Sequence, residues 1–248
     1  MKRRYFLQAG LAAYAGSLTS AAYAQGALDD YVGLSDKPFP PSQRLFGTNP
    51  ALGEEEDMAR KLLADAPKGK SLTETAQYFE SLQEKNKQGL AYNAQWPDTP
   101  GGRWNPVLVG FYQATTLDKQ YVYKKGDTID WCAAFMNWCL AQSGYKPTPS
   151  NSAMSGSYRS YGRARSSGEK PVVGDIIVFK RVDSQARGNA GHGHVGIYID
   201  QSAAAYEVLG GNQKDGKKYS SVNTTSISKS SSVIGLHSYR DIGEMRKT

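Results

Sequence analysis

The sequence predicts an α+β fold, with helices followed by an antiparallel sheet. Three observations carry this: helix-period apolar patterns before residue 90, an almost wholly apolar segment between Asp130 and Gly144, and short β-branched runs joined by polar segments after Pro171. Helices and strands segregate along the chain and no internal repeat is present, which argues against a βαβ repeat. Of 248 residues, 39% are apolar, 11% aromatic and 21% charged, a composition with enough aromatic and apolar side chains to build a core. Two cysteines exclude a disulfide-dense scaffold and a four-cysteine zinc site.

The first residues are expected to lie outside that core. Lys2-Arg3-Arg4, a mostly small and apolar stretch from Tyr5 to Tyr23, and Ala22-Tyr23-Ala24 have the layout of a secretory signal. Arg3-Arg4-Tyr5-Phe6-Leu7 resembles the twin-arginine export signal. Residues 1–24 are therefore read as a signal peptide, and the protein as exported, periplasmic or extracellular. Gln8, Gly10 and Gly16 interrupt a stretch already short for a bilayer, so no stable membrane span is expected after processing. The formal net charge is +7, and part of it sits in that signal. No arginine-rich block accompanies the remaining mild excess, so no nucleic-acid partner is expected.

Residues 25–126 read as an N-terminal extension with two helices. Gly, Pro, Ser and Asp dominate residues 25–50, an extended lead-in. Glu54, Glu55, Glu56 and Asp57 suit the positive end of a helix whose apolar face is Met58, Ala59, Leu62 and Leu63, ending at Pro67 and Gly69. A second helix is expected to start at Ser71, because Ser71 and Glu74 have capping-box spacing, and to fade near Gly89. Val107 to Tyr112 fits strand or helix equally. Neither helix buries enough surface alone, so both should pack on the main domain.

Residues 127–240 read as the main domain and 241–248 as a C-terminal tail. The segment Trp-Cys-Ala-Ala-Phe-Met-Asn-Trp-Cys-Leu-Ala-Gln-Ser is apolar on nearly every side and predicts a buried helix, capped by Asp130 and closed by a left-handed Gly144. A short helix is expected over Ala153 to Tyr161. Strands follow at Ile176 to Phe179, Val195 to Ile199, Ala204 to Leu209 and Val233 to Tyr239.

Cys132 falls in the first turn of the buried helix, where free N–H groups and the helix dipole favour a thiolate. Cys139 lies seven residues on, about 10.5 Å along an intact helix and beyond the roughly 7 Å reach of a disulfide, so it reads as a core residue. A thiolate nucleophile needs an imidazole and a third polar group to orient it. Among His192, His194 and His237, His194 opens a predicted strand behind a glycine-rich loop. Leu209-Gly210-Gly211-Asn212-Gln213 ends another strand and offers an amide. A cysteine in an apolar helix also serves as packing, and Gly-Gly-Asn is also an ordinary turn, so these residues leave both readings open.

Trp131-Cys132-Ala133-Ala134-Phe135 with Asn137-Trp138-Cys139, Gly174-Asp175 before a strand, Gly193-His194-Val195-Gly196-Ile197-Tyr198 and Leu209-Gly210-Gly211-Asn212-Gln213 together resemble, in order, the motifs of the CHAP family, the cysteine, histidine-dependent amidohydrolases/peptidases. The resemblance implies a papain-like fold with the nucleophile helix packed on the sheet, no cofactor or metal, and hydrolysis of peptidoglycan or muropeptide amides through a thioester acyl-enzyme. It assigns Cys132 as nucleophile, His194 as general base and acid, and Asn212 as the group orienting His194. Many relatives carry a glutamate where this chain has Gly210, which leaves Glu207 as a weaker alternative. Trp131, Tyr158, Tyr161 and His192 are the expected cleft residues.

Two other functions compete. His192 and His194, with Cys132 or His237, have spacing for a zinc-dependent amidohydrolase, though no His-Glu-x-x-His helix accompanies them. Tyr145, Tyr158 and Tyr161 could instead line the glycan groove of a non-catalytic cell-wall binding protein.

Overall fold

A computed structural model describes residues 49–97, 102–183, 191–214, 216 and 219–246. The expected signal at 1–24 and most of the lead-in lie outside these residues. Helix α1 (Gly53–Asp65) buries Ala59, Leu62 and Leu63, and Glu55 in its first turn accepts the Leu52 N–H at 2.8 Å. In α2 (Leu72–Glu80) the expected capping box is present: Ser71 Oγ accepts Glu74 N–H at 3.1 Å and Glu74 Oε2 accepts Ser71 N–H at 2.9 Å. The helix stops at Glu80, well short of Gly89.

The ambiguous apolar run is α3 (Pro106–Phe111). Asn105 caps it by accepting Val107 N–H at 2.9 Å, and Pro106 takes the first helical position, where its missing donor costs nothing. A fourth element, α4 (Lys119–Lys125), was not expected from the sequence; Asp118 caps it, and within it only Val122 and Tyr123 are buried. A 3₁₀ turn, Gly126–Thr128, and three further residues connect it to α5 (Cys132–Gln142), buried at every position except Ala141. Gly144, just beyond, has φ +78°, the left-handed closure expected there.

The extension and the sheet share one apolar core. Phe79 of α2 meets Phe111, Phe135 and Trp138 edge-on, with ring centroids 5.1, 6.0 and 5.1 Å away. Asn137 inside α5 is satisfied by the hydroxyl of Tyr158, which donates to its Oδ1 at 2.7 Å, and by its own Nδ2 donating to the Ser152 carbonyl at 3.0 Å. The expected short helix after Ala153 is a 3₁₀ segment, Ser155–Ser160.

Six strands follow: β1 (Arg163–Ala164), β2 (Ile176–Arg181), β3 (Gly193–Gln201), β4 (Ala205–Gln213), β5 (Ser221–Ser228) and β6 (Ile234–Asp241). Their spatial order is β1-β6-β2-β3-β4-β5, with neighbours antiparallel. Val178, Val195, Ile197 and Leu209 project into the core shared with α5, whereas Ile177, Phe179, Tyr198 and Val208 form a second cluster. This is the α+β arrangement of helices on an antiparallel sheet that the sequence predicts. The expected tail is built into it: β6 runs to Asp241, Ile242 is buried and Lys146 N–H bonds the Met245 carbonyl at 2.7 Å.

Candidate active site

The first turn of α5 opens onto a cleft of about 500 Å³. Cys132 reaches this cleft while remaining only 5% exposed. Leu117, Tyr121, Thr128, Ile129 and Asp130 line it from the segment before α5; Met154, Ser155 and His192 are among the residues opposite.

The sheet supplies a donor to the sulfur. Arg181 N–H bonds the His192 carbonyl and Tyr198 N–H bonds the Asp175 carbonyl, so the unbroken β2–β3 ladder uses the even-numbered residues of β3. Val195 N–H therefore points away from β2, on the side where β4 pairs only from Ile197↔Leu209 onward. That N–H faces the Cys132 sulfur instead, together with the N–H groups of Cys132 and Ala133. Because Val195 directly follows His194, the backbone of the histidine strand passes the first turn of α5, while the His194 ring packs beside Phe179 with ring centroids 6.3 Å apart.

The expected lowering of the Cys132 pKa does not occur. Burial first, and the Asp130 carboxylate with it, push the thiol up to about 12, with the three N–H groups opposing this without reversing it. A helix N-terminus favours a thiolate, but here the sulfur at the cleft wall is almost wholly covered, and its desolvation outweighs the N–H groups around it.

His194 is held by Gln213. Its Nε2 lies 3.0 Å from Gln213 Oε1. The Gln213 amide is oriented by its nitrogen, which donates to the carbonyls of Val208 at 3.1 Å, Gly210 at 3.2 Å and Asn223. An amide oxygen only accepts, so His194 carries its proton on Nε2 and leaves Nδ1 as a lone pair. Burial lowers the His194 pKa below 6.5, against the raising effects of the Gln213 bond and Asp130, so the ring is a neutral base at pH 7.

Asn212 does not make the expected contact. A register shift between Gly210 and Gln213 turns Asn212 into a left-handed conformation, φ +61°, and its Nδ2 donates to Asp130 Oδ1 at 3.0 Å. Asp130 accordingly does not cap α5, whose N-cap is Trp131 with no side-chain bond. Glu207, the alternative, pairs across from Asp200 and accepts from Ser226 Oγ; six residues of β3 separate Asp200 from His194, ~20 Å at the rise of a strand.

Three of the four expected cleft residues are core. Trp131 is fully buried against Phe111 and Phe135. Tyr158 and Tyr161 are buried, Tyr161 donating to the Lys146 carbonyl. His192 does line the cleft. Sequence reasoning missed Gln213; its signal was a second amide directly after Asn212, behind two glycines able to form a bulge. For the zinc reading, no group of three or more His, Cys, Asp or Glu converges among the described residues.

The family model of the CHAP domain matches residues 124–212, a span containing α5, β2, β3 and nearly all of β4. Neither the curated proteins nor the solved structures gave a match. A CHAP domain, of the cysteine/histidine peptidoglycan hydrolase family, is thus present at residues 124–212, which supports a cysteine/histidine-dependent amidohydrolase mechanism.

Proposed function

We propose that this CHAP domain hydrolyses an amide bond of bacterial peptidoglycan with Cys132 as nucleophile, His194 as base and acid, and Gln213 as the residue that positions His194. The observation that carries the reading is the Nε2–Oε1 bond of 3.0 Å, which leaves Nδ1 of a neutral imidazole to accept a proton. Trp131, Tyr158 and Tyr161 do not bind substrate in this reading.

Thiol and imidazole are both neutral before substrate arrives, so proton transfer accompanies attack rather than preceding it. His194 Nδ1 takes the thiol proton as Sγ bonds to the amide carbonyl carbon. The oxyanion draws on the N–H groups gathered at the sulfur, those of Cys132 and Val195 foremost. The C–N bond then breaks, and the His194 imidazolium delivers its proton to the departing amine. A water gives a proton to His194 while its oxygen attacks the thioester, releasing the acid and restoring the thiol.

Export to the periplasm or cell exterior accords with this substrate and rests on the Lys2-Arg3-Arg4 head and the apolar stretch to Ala24. The test is digestion of purified sacculi: wild-type protein releases soluble muropeptides, and Cys132→Ala abolishes release while sacculus binding persists. Binding without release in both forms contradicts catalysis and favours the wall-binding alternative.

A further inference from the structure

Among the described residues lining the cleft, Asp130 alone carries a full charge. It stands two residues before the proposed nucleophile, in a chain whose remaining charge outside the expected signal is a mild positive excess. Its Oδ1 is fixed by Asn212 Nδ2 at 3.0 Å, and Asn212 is itself fixed by the left-handed turn of the β4 bulge. The fold thus spends a strained asparagine conformation on aiming a carboxylate beside the reacting sulfur.

Among the described residues, two cations near the cleft are engaged by other groups. Arg181, close enough to feel the Asp130 charge, pairs with Asp183, and Arg159 donates to the His192 carbonyl at 3.0 Å. Asp130 also has a chemical cost, because its charge opposes ionisation of Cys132. A carboxylate that slows the nucleophile in the empty cleft is useful if substrate neutralises it on binding.

We propose that Asp130 is a specificity-determining residue that recognises a free ammonium group on the peptide flanking the scissile amide. The proposal rests on the amidohydrolase reading above and names the substrate class for that site: stem peptides whose amino group is uncapped, in preference to those in which it is acylated or cross-linked. Binding of the ammonium offsets the Asp130 charge and so couples recognition to easier proton loss from Cys132. Asn212, which the sequence suggested as the partner of His194, acts instead through Asp130.

The test compares two synthetic peptidoglycan stem peptides, identical except that the free side-chain amine of one is acetylated; a third, acetylated only at its N-terminus, distinguishes a terminal from a side-chain ammonium. Wild-type kcat/KM should favour an ammonium peptide over its acetylated counterpart on the order of tenfold or more. Asp130→Asn, which keeps an acceptor for Asn212, should bring the rates together, and Asp130→Glu should restore part of the difference. Equal wild-type rates for all three peptides, or a preference that survives Asp130→Asn, would overturn the proposal. Absence of turnover on every peptide counts against the hydrolase reading instead; titration of the same peptides into Cys132→Ala protein then still decides recognition, by the presence or absence of the ammonium preference in Kd.

Discussion

Gln213 holds His194 through a 3.0 Å bond to Nε2, and its own amide nitrogen is locked against the carbonyls of Val208, Gly210 and Asn223. This makes the imidazole's orientation a property of the β4–β5 bulge. Gln213→Ala should therefore lower kcat by at least about tenfold with a smaller change in KM. Gln213→Glu separates positioning from packing: a carboxylate against Nε2 raises the imidazole pKa, so the acid limb of the kcat/KM–pH profile should move to higher pH. A limb that stays in place would remove Gln213 from the role.

Cys132 should alkylate slowly at neutral pH. With the thiol held near 12 by burial and by Asp130, iodoacetamide modification of folded protein should keep accelerating through pH 10, about tenfold per pH unit, without a plateau. A plateau near pH 7, the mark of a preformed thiolate, would contradict the neutral resting pair.

Stability should fall on acidification through the range below pH 6.5. Burial depresses the His194 pKa in the folded state, so between the folded and unfolded values the unfolded chain binds more protons. Stability from this group is complete above 6.5 and is lost as pH drops toward the folded pKa. His237, depressed by burial and by Arg159, Lys180 and Arg240, acts in the same direction. The His194 share is the part of the Tm decline that disappears in His194→Gln.

Phe79 tests whether the extension and the CHAP domain are one folding unit. It is fully buried between Phe111, Phe135 and Trp138. Phe79→Ala should cost about 3–5 kcal/mol and lower a single cooperative melting transition monitored by tryptophan fluorescence. A separate low-temperature transition, with the remainder unshifted, would mean that α2 is an independent layer.

Much of this architecture was legible in the sequence where one local rule dominated. The Ser71–Glu74 spacing, the all-apolar helix from Cys132 and the left-handed Gly144 each follow from a single strong preference. β5 was not legible because Ser221–Ser228 contains Ser, Thr and Asn at most positions, and Val222 and Asn223 are buried together with no apolar alternation to announce a strand. Helix α4 was hidden for a similar reason, with two buried residues among lysines and a glutamine.

Of the proposed site, the cysteine and histidine stand in motifs the sequence displays, whereas the side chain that bonds His194 does not announce itself. Asn212 and Gln213 are both amides, and only the register shift after Gly210 decides that Gln213 meets His194 while Asn212 meets Asp130. Trp131, Tyr158 and Tyr161 illustrate the same limit: large amphipathic rings near a nucleophile suit a cleft or a core equally, and tertiary packing placed them in the core.

In the proposed mechanism the Cys132 sulfur becomes covalently acylated with His194 as its base. Intact-protein mass spectrometry during turnover of a peptidoglycan stem peptide, followed by peptide mapping, tests it most directly. Wild-type protein should carry a hydroxylamine-labile acyl adduct on Cys132, lost in Cys132→Ala and strongly reduced in His194→Ala. Product release by wild-type protein that persists in Cys132→Ala, with no adduct on that sulfur, would contradict it.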